Sequence, residues 1–141
     1  MSIVRRPLGR LLLATAGILG LTLLVTARNL EPDPRGFGTH EQLGLTPCTF
    51  QELTGHVCPL CGGTTAWALL LRGEVMLASI ANLGAMLLCV AIVIGAPWML
   101  LVAICGRWLI IQPTLRHLLV LASAWLAVVV LDWLRRLFLG M

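Results

Sequence analysis

The chain has 141 residues, of which 59% are hydrophobic and only 11% are charged, and its mean hydropathy is +0.96. Soluble globular domains are about 45–50% apolar and about 25% charged, so this composition excludes that class and indicates an integral membrane protein. All the basic residues behind the net charge of +4 are arginines. They form no basic cluster interleaved with aromatic residues, so we expect a lipid bilayer and no nucleic acid as partner.

The amino-terminal part of the chain predicts a first membrane span. Residues 8–27 are mostly apolar and carry Arg10 as their only charge, and about 20 apolar residues in a helix cross the hydrocarbon core of a bilayer. The stretch is longer than the ~7–15-residue core of a secretion signal, so we expect it to be retained as a helix. Within it, Ala16 and Gly20 have the spacing of small residues through which membrane helices pack, which offers a face for another subunit.

Residues 28–63 differ from the rest of the chain in composition. They carry four of the six acidic residues, prolines that exclude a long helix and glycines that favour turns. Three of the five cysteines, Cys48, Cys58 and Cys61, also lie in this segment. A loop of this length is usually functional or disordered, and its thiols indicate that it is tied down.

A short helix is predicted directly after the loop, at residues 64–71. Thr64 or Thr65 can cap its amino end, and Gly73 breaks the far end. This helix is too short to cross a bilayer, so we expect it to lie at the membrane interface.

The second span is predicted from residue 75 to about residue 96. Residues 75–105 carry no charge and exceed the length of one crossing, and Gly95, Ala96 and Pro97 offer a kink or break. The remainder, to residue 106, either continues the helix at a tilt or turns along the membrane surface. Asn82 and Ser79 are the polar residues inside this span; such residues usually join helices by hydrogen bonds, and Asn82 is the better functional candidate of the two.

The last span is predicted at residues 115–134. Asp132 is at helical spacing from Arg135 and Arg136, so it can pair with either of them. We expect this pair at the interface, with the arginines extended towards the headgroups.

The predicted fold is therefore all-α: a single integral membrane domain of residues 1–141. It comprises a tail and first span (1–27), a loop with the cysteine motif and a short interfacial helix (28–74), and the remaining spans (75–141). The basic residues near the first span favour an amino terminus inside the cell. The cysteine loop would then face the outside of the cell membrane, where disulfides persist.

The cysteines themselves are compatible with three kinds of chemistry. Cys58-Pro59-Leu60-Cys61-Gly62 has the form of a metal-binding knuckle, and Cys48 with His56 or His40 would complete a Cys₃His site for zinc. A disulfide from Cys48 to Cys58 or Cys61 would tie the loop equally well.

Thiol–disulfide chemistry is the third possibility. Cys58 and Cys61 precede a predicted helix, whose amino end would stabilise a thiolate. Such a pair could exchange electrons with a quinone or with the thiols of a partner protein.

The same stretch resembles the domain of unknown function 2752 family, a group of small bacterial membrane proteins. The family signature is similar to Pro-Cys, Thr-Gly, Cys-Pro-x-Cys-Gly-x-Thr-Arg-Ala, Leu-Leu-x-Gly and Asn-Pro in that order. The matching positions are Pro47-Cys48, Leu53-Thr54-Gly55, Cys58-Pro59-Leu60-Cys61-Gly62-Gly63-Thr64, Ala66, Leu70-Leu71, Gly73 and Asn82. Thr65 stands where the family usually has arginine, and Leu83 where proline is usual. The resemblance implies a membrane location and a cysteine loop that acts as a unit, and it implies no activity.

The function expected from these features is non-enzymatic. We interpret the chain as a structural or accessory subunit, which associates with other membrane proteins or with itself. Zinc is the cofactor that the loop could hold. The alternative is a membrane thiol–disulfide oxidoreductase that uses Cys58 and Cys61.

Overall fold

The computed structural model describes residues 7–139, and this part of the chain is helical with no β-strand. Three helices are long and apolar enough to cross a membrane: α1 (Pro7–Asn29), α4 (Val75–Cys105) and α5 (Leu115–Leu139). Between α1 and α4 lie a 3₁₀ helix (Thr39–Leu43) and the short helices α2 (Thr49–Thr54) and α3 (Gly63–Leu70). The predicted all-α membrane fold, with a short helix between the first two spans, is confirmed.

The first span runs antiparallel to the second along their length. Near the start of α1, the Arg10 side chain donates from Nε to the carbonyl oxygen of Ala103 (2.8 Å) and from Nη2 to that of Ile104 (3.1 Å). The last turn of a helix leaves such carbonyls without intrahelical partners. The Arg10 guanidinium therefore caps the carboxyl-terminal end of α4.

Glycines on α1 allow this close approach. A methyl group added at Gly17 would lie 2.9 Å from the carbonyl oxygen of Ala96, and one at Gly20 would lie 3.0 Å from the Ala96 methyl. Both glycines are buried, whereas Ala16 is exposed. Gly20 is thus used for packing within the chain, and the pairing of Ala16 with another subunit stays a prediction.

We expect Gly20→Leu to destabilise the fold by about 1–3 kcal/mol, because the added atoms would overpack the contact with α4. The matched control is Ala16→Leu, which enlarges an exposed position one turn earlier. Unfolding in mixed detergent and dodecyl sulfate micelles, followed by the loss of helical circular dichroism, measures the difference. Equal stability of the two variants would contradict the described packing of α1 on α4.

The interruption in α4 lies at Asn82 instead of at the predicted site around Pro97. Asn82 has φ −167° and ψ 102°, whereas the helix continues past Pro97 to Cys105, so of the two courses expected after residue 96 the chain takes the continued helix. Asn82 Oδ1 accepts a hydrogen bond from the Ala85 N–H (2.8 Å). The side chain thereby caps the second part of the helix and replaces a backbone partner that the break removes.

The third span contacts α4 through its carboxyl-terminal half. Trp125 donates from Nε1 to the carbonyl oxygen of Gly84 (2.9 Å), and Val129 packs where a methyl group at Gly84 would be only 2.5 Å away. Residues 115–124 of α5 are exposed. The end of α5, the start of α4 and the end of α1 therefore form one end of the bundle, and the cysteine loop covers it.

Candidate metal centre

The structure brings together the three loop cysteines that the sequence singled out. The sulfur atoms of Cys48, Cys58 and Cys61 all lie within 4.8 Å of one another. Cys48 occupies the position before the first residue of α2. Cys58 and Cys61 flank a tight turn in which the Cys61 N–H donates to the Cys58 carbonyl oxygen (3.1 Å). All five cysteines of the chain are free thiols.

The three thiols border a cleft of about 520 Å³ on the loop surface. Cys61 is buried, and Cys48 and Cys58 are partly exposed. His40 lines the same cleft, together with Glu41, Gln51 and Glu52. His56 is exposed and is not among the residues that line it. Of the two histidines considered as a fourth ligand, only His40 thus borders the cleft, and neither belongs to the group of ligand atoms within 4.8 Å of one another.

The thiols of the cluster differ in acidity. Hydrogen bonding from the Gln51 backbone N–H at the start of α2, aided by the neighbouring thiols, lowers the pKa of Cys48. Burial, aided by hydrogen bonding with Cys58, raises the pKa of Cys61 to about 12. A divalent cation would displace the proton of a coordinating thiol outright, so a bound metal removes this difference.

Two long-range donors fix the backbone of the turn between Cys58 and Cys61. Asn82 Nδ2 donates to the carbonyl oxygens of Pro59 (3.0 Å) and Cys61 (3.1 Å). Arg136 donates to the same two oxygens, from Nη2 to Pro59 (3.0 Å) and from Nη1 to Cys61 (2.8 Å). The turn therefore rests on one residue of α4 and one of α5.

The ion pair expected at the interface is instead buried beneath the loop. Asp132 and Arg136 are each 4% exposed, and Arg136 Nε lies 3.2 Å from Asp132 Oδ2. That Nε has no partner with good hydrogen-bond geometry, so the contact is chiefly electrostatic. Arg135 pairs with the other carboxylate oxygen (2.8 Å) and keeps more exposure. The prediction that Arg136 reaches the headgroups was wrong, because the loop carbonyls take the place of water around its guanidinium.

Further contacts attach the loop to the spans. Trp133 donates from Nε1 to the Val57 carbonyl oxygen (2.8 Å). The buried hydroxyl groups of Thr39 and Thr65 are 2.8 Å apart and share a hydrogen bond. Thr65 therefore does not cap α3 as predicted, and neither does Thr64, since the residue before the helix is Gly62.

A charged group lies on one wall of the cleft. Arg35 pairs with Asp33 (2.7 Å) and with Glu41 (3.2 Å), and its guanidinium carbon lies 5.2 Å from the centre of the Phe37 ring. The hydrogen bonds from Arg35 lower the pKa of Asp33, and those to Asp33 and Glu41 raise the pKa of Arg35. These contacts order the segment that leads to His40.

Comparison with known proteins gives one family. Residues 48–96 match the family described as "Protein of unknown function (DUF2752)". No curated protein and no solved structure matches the chain. The matched segment contains the three clustered cysteines, α3 and the break in α4 at Asn82. This segment, about a third of the chain, is thus similar to the DUF2752 family of proteins of unknown function.

Proposed function

We propose that the chain is a membrane-anchored metal-binding protein in which Cys48, Cys58 and Cys61 coordinate one Zn²⁺ ion. The observation that carries the proposal is the convergence of three thiols within 4.8 Å of one another. Thiolates at about 2.3 Å from a tetrahedral zinc ion are roughly 3.8 Å apart, so small side-chain rotations suffice to bind it.

The fourth coordination position would face the cleft. His40, Glu41 and Glu52 line that cleft with side chains that can bind zinc, and water or a group from a partner protein is the other kind of occupant. Structural zinc sites are closed by four protein ligands, whereas sites with catalytic or exchange chemistry keep one position open. The identity of the fourth ligand therefore determines whether the metal only holds the loop.

The role that we propose for this centre is that of an accessory subunit of a membrane complex. The loop is attached to α4 and α5 through its backbone, which makes it a rigid surface at one end of the bundle. A particle in mild detergent that contains one copy of the chain and no other protein would count against this role.

We further propose that the loop faces the outside of the cell membrane. Arg10 lies near the first residue of α1, at the opposite end of the bundle from the thiols, and basic residues near the first span favour the inside. On the outer side, three free thiols this close together oxidise unless a ligand protects them. The state of the thiols in isolated protein is therefore informative.

The decisive experiment combines metal analysis with intact mass after alkylation of protein purified in detergent. We expect one zinc ion per chain, and three additional alkylated thiols once a chelator has removed the metal. A mass lower by two hydrogens, with no bound metal, would show that the cluster forms a disulfide instead of a metal centre. Cycling of that disulfide by a quinone or by partner thiols would favour the oxidoreductase alternative. Free thiols without metal would contradict the proposed centre.

A further inference from the structure

A buried polar network lies directly beneath the thiol cluster. Asn82 and Arg136 donate to the same two acceptors, the carbonyl oxygens of Pro59 and Cys61. These oxygens belong to the turn that carries Cys58 and Cys61. Four hydrogen bonds from two membrane-spanning helices thus converge on the backbone between two thiols.

We propose that Arg136, supported by Asp132 and Asn82, is a positioning residue for the thiol cluster. It fixes the turn in the geometry that a metal ion needs and places a buried positive charge beside the thiolates. This inference rests on the proposed metal centre and adds that residues within α4 and α5 set its affinity.

The network leaves few polar groups without partners. The break at Asn82 frees the Leu83 N–H, and Asp132 Oδ2 accepts it at 3.2 Å. The same oxygen faces Arg136 Nε, so one carboxylate links the broken helix to the arginine. Because of the break, the Asn82 side-chain nitrogen points at the turn between Cys58 and Cys61, while its side-chain oxygen accepts the Ala85 N–H.

The charges are complementary. Asp132 pairs with both Arg135 and Arg136, which leaves this group with one net positive charge. A zinc ion with three thiolates carries one net negative charge. The low dielectric of a buried site strengthens the attraction between the two groups.

The test compares Arg136→Gln with the matched control Arg135→Gln in the full-length protein in detergent. Both variants remove one arginine that pairs with Asp132, but only Arg136 reaches the thiol turn. Loss of a group that orients metal ligands typically lowers metal affinity by 10–100-fold, and we expect a decrease in that range for Arg136→Gln. We expect less than about a threefold change for Arg135→Gln, since its pair is partly exposed. Competition for Zn²⁺ with a chromophoric chelator measures both values.

Two readouts separate positioning from a general loss of stability. Arg136→Lys keeps the charge but cannot reach both carbonyl oxygens as a fork does, so we expect an affinity between wild type and Arg136→Gln. The absorption of bound Co²⁺ should change in Arg136→Gln and not in Arg135→Gln, because it reports the geometry of the thiolates. Equal zinc affinities and equal Co²⁺ spectra in the two glutamine variants would overturn the inference.

Arg136→Gln leaves the buried Asp132 with only the partly exposed Arg135 as its ion-pair partner, and this loss could prevent the variant from folding. The double variant Asp132→Asn with Arg136→Met removes both members of the pair, a change that buried ion pairs often tolerate. We expect this variant to keep its helix content and still bind zinc at least about tenfold more weakly than wild type. Wild-type affinity in the folded double variant would also overturn the inference.

A metal-independent readout distinguishes failure of this inference from failure of the proposed function. Cys61 is buried by the fixed turn, so its alkylation in chelator-treated protein should be faster in Arg136→Gln than in Arg135→Gln. A wild-type protein that binds no zinc would defeat the metal centre alone. Equal alkylation rates of Cys61 in the two variants would defeat the positioning role.

Discussion

Replacing Cys58 with serine is expected to weaken zinc binding by about 100-fold or more. Structural zinc sites with four ligands bind with roughly 10–16 kcal/mol in total, so one thiolate accounts for a few kcal/mol. Each 1.4 kcal/mol is about a factor of ten in the dissociation constant. A serine hydroxyl keeps its proton at neutral pH, so the variant would retain two of the three thiolates that lie within 4.8 Å of one another. Competition with a chromophoric chelator in detergent measures the loss.

Cys105→Ser is the matched control for this variant. It makes the same chemical change at an exposed cysteine that ends α4, outside the thiol cluster, and we expect wild-type zinc affinity. Unchanged affinity in Cys58→Ser would rule out a three-thiolate centre. Loss of helix content in metal-free Cys58→Ser would mean that this cysteine supports the fold directly. The zinc affinities would then be compared with proteins that start in the metal-loaded state.

The spans could be predicted because the thickness of a bilayer sets a minimum length of apolar helix. Residues 8–27 were predicted and Pro7–Asn29 is observed; residues 115–134 were predicted and Leu115–Leu139 is observed. Apolar composition does not show where a span is interrupted. Pro97 is tolerated inside α4, whereas Asn82 interrupts it, because the Asn82 side chain and Asp132 replace the lost backbone partners.

The cluster of Cys48, Cys58 and Cys61 could be expected from the count of cysteines in one polar segment, but which histidine lines the cleft could not. His56 is closer in sequence to Cys58, yet the turn at residue 55 leaves it exposed. His40 lines the cleft because the 3₁₀ helix that carries it packs on α3. Such a contact between distant segments leaves no local pattern.

The burial of Arg136 was missed for a related reason. The spacing from Asp132 correctly indicated an ion pair, and the same spacing occurs in pairs that extend into solvent. What decides the burial is the position of the Cys61 carbonyl, which is 75 residues away in sequence.

The second prediction with a large effect concerns Gly62, which precedes α3 and follows Cys61. Its φ of 83° is in the left-handed region, and a methyl group there would lie 2.6 Å from the Ala81 carbonyl oxygen and 2.8 Å from that of Gly36. Both contacts are with backbone, which cannot rotate away. We expect Gly62→Ala to destabilise the protein by about 2–5 kcal/mol, the combined cost of an unfavourable φ and of overpacking.

Gly55→Ala separates these two effects. Gly55 has a similar φ of 69°, but a methyl group there would meet nothing within 4 Å. Only the backbone cost of roughly 1–2 kcal/mol applies, so this variant should unfold at a higher dodecyl sulfate fraction than Gly62→Ala. Zinc affinity should fall only in Gly62→Ala, because the clash with Ala81 pushes the thiol turn away from Asn82 and Arg136. Equal stability and equal zinc affinity in the two variants would mean that the loop does not rest on α4 as described.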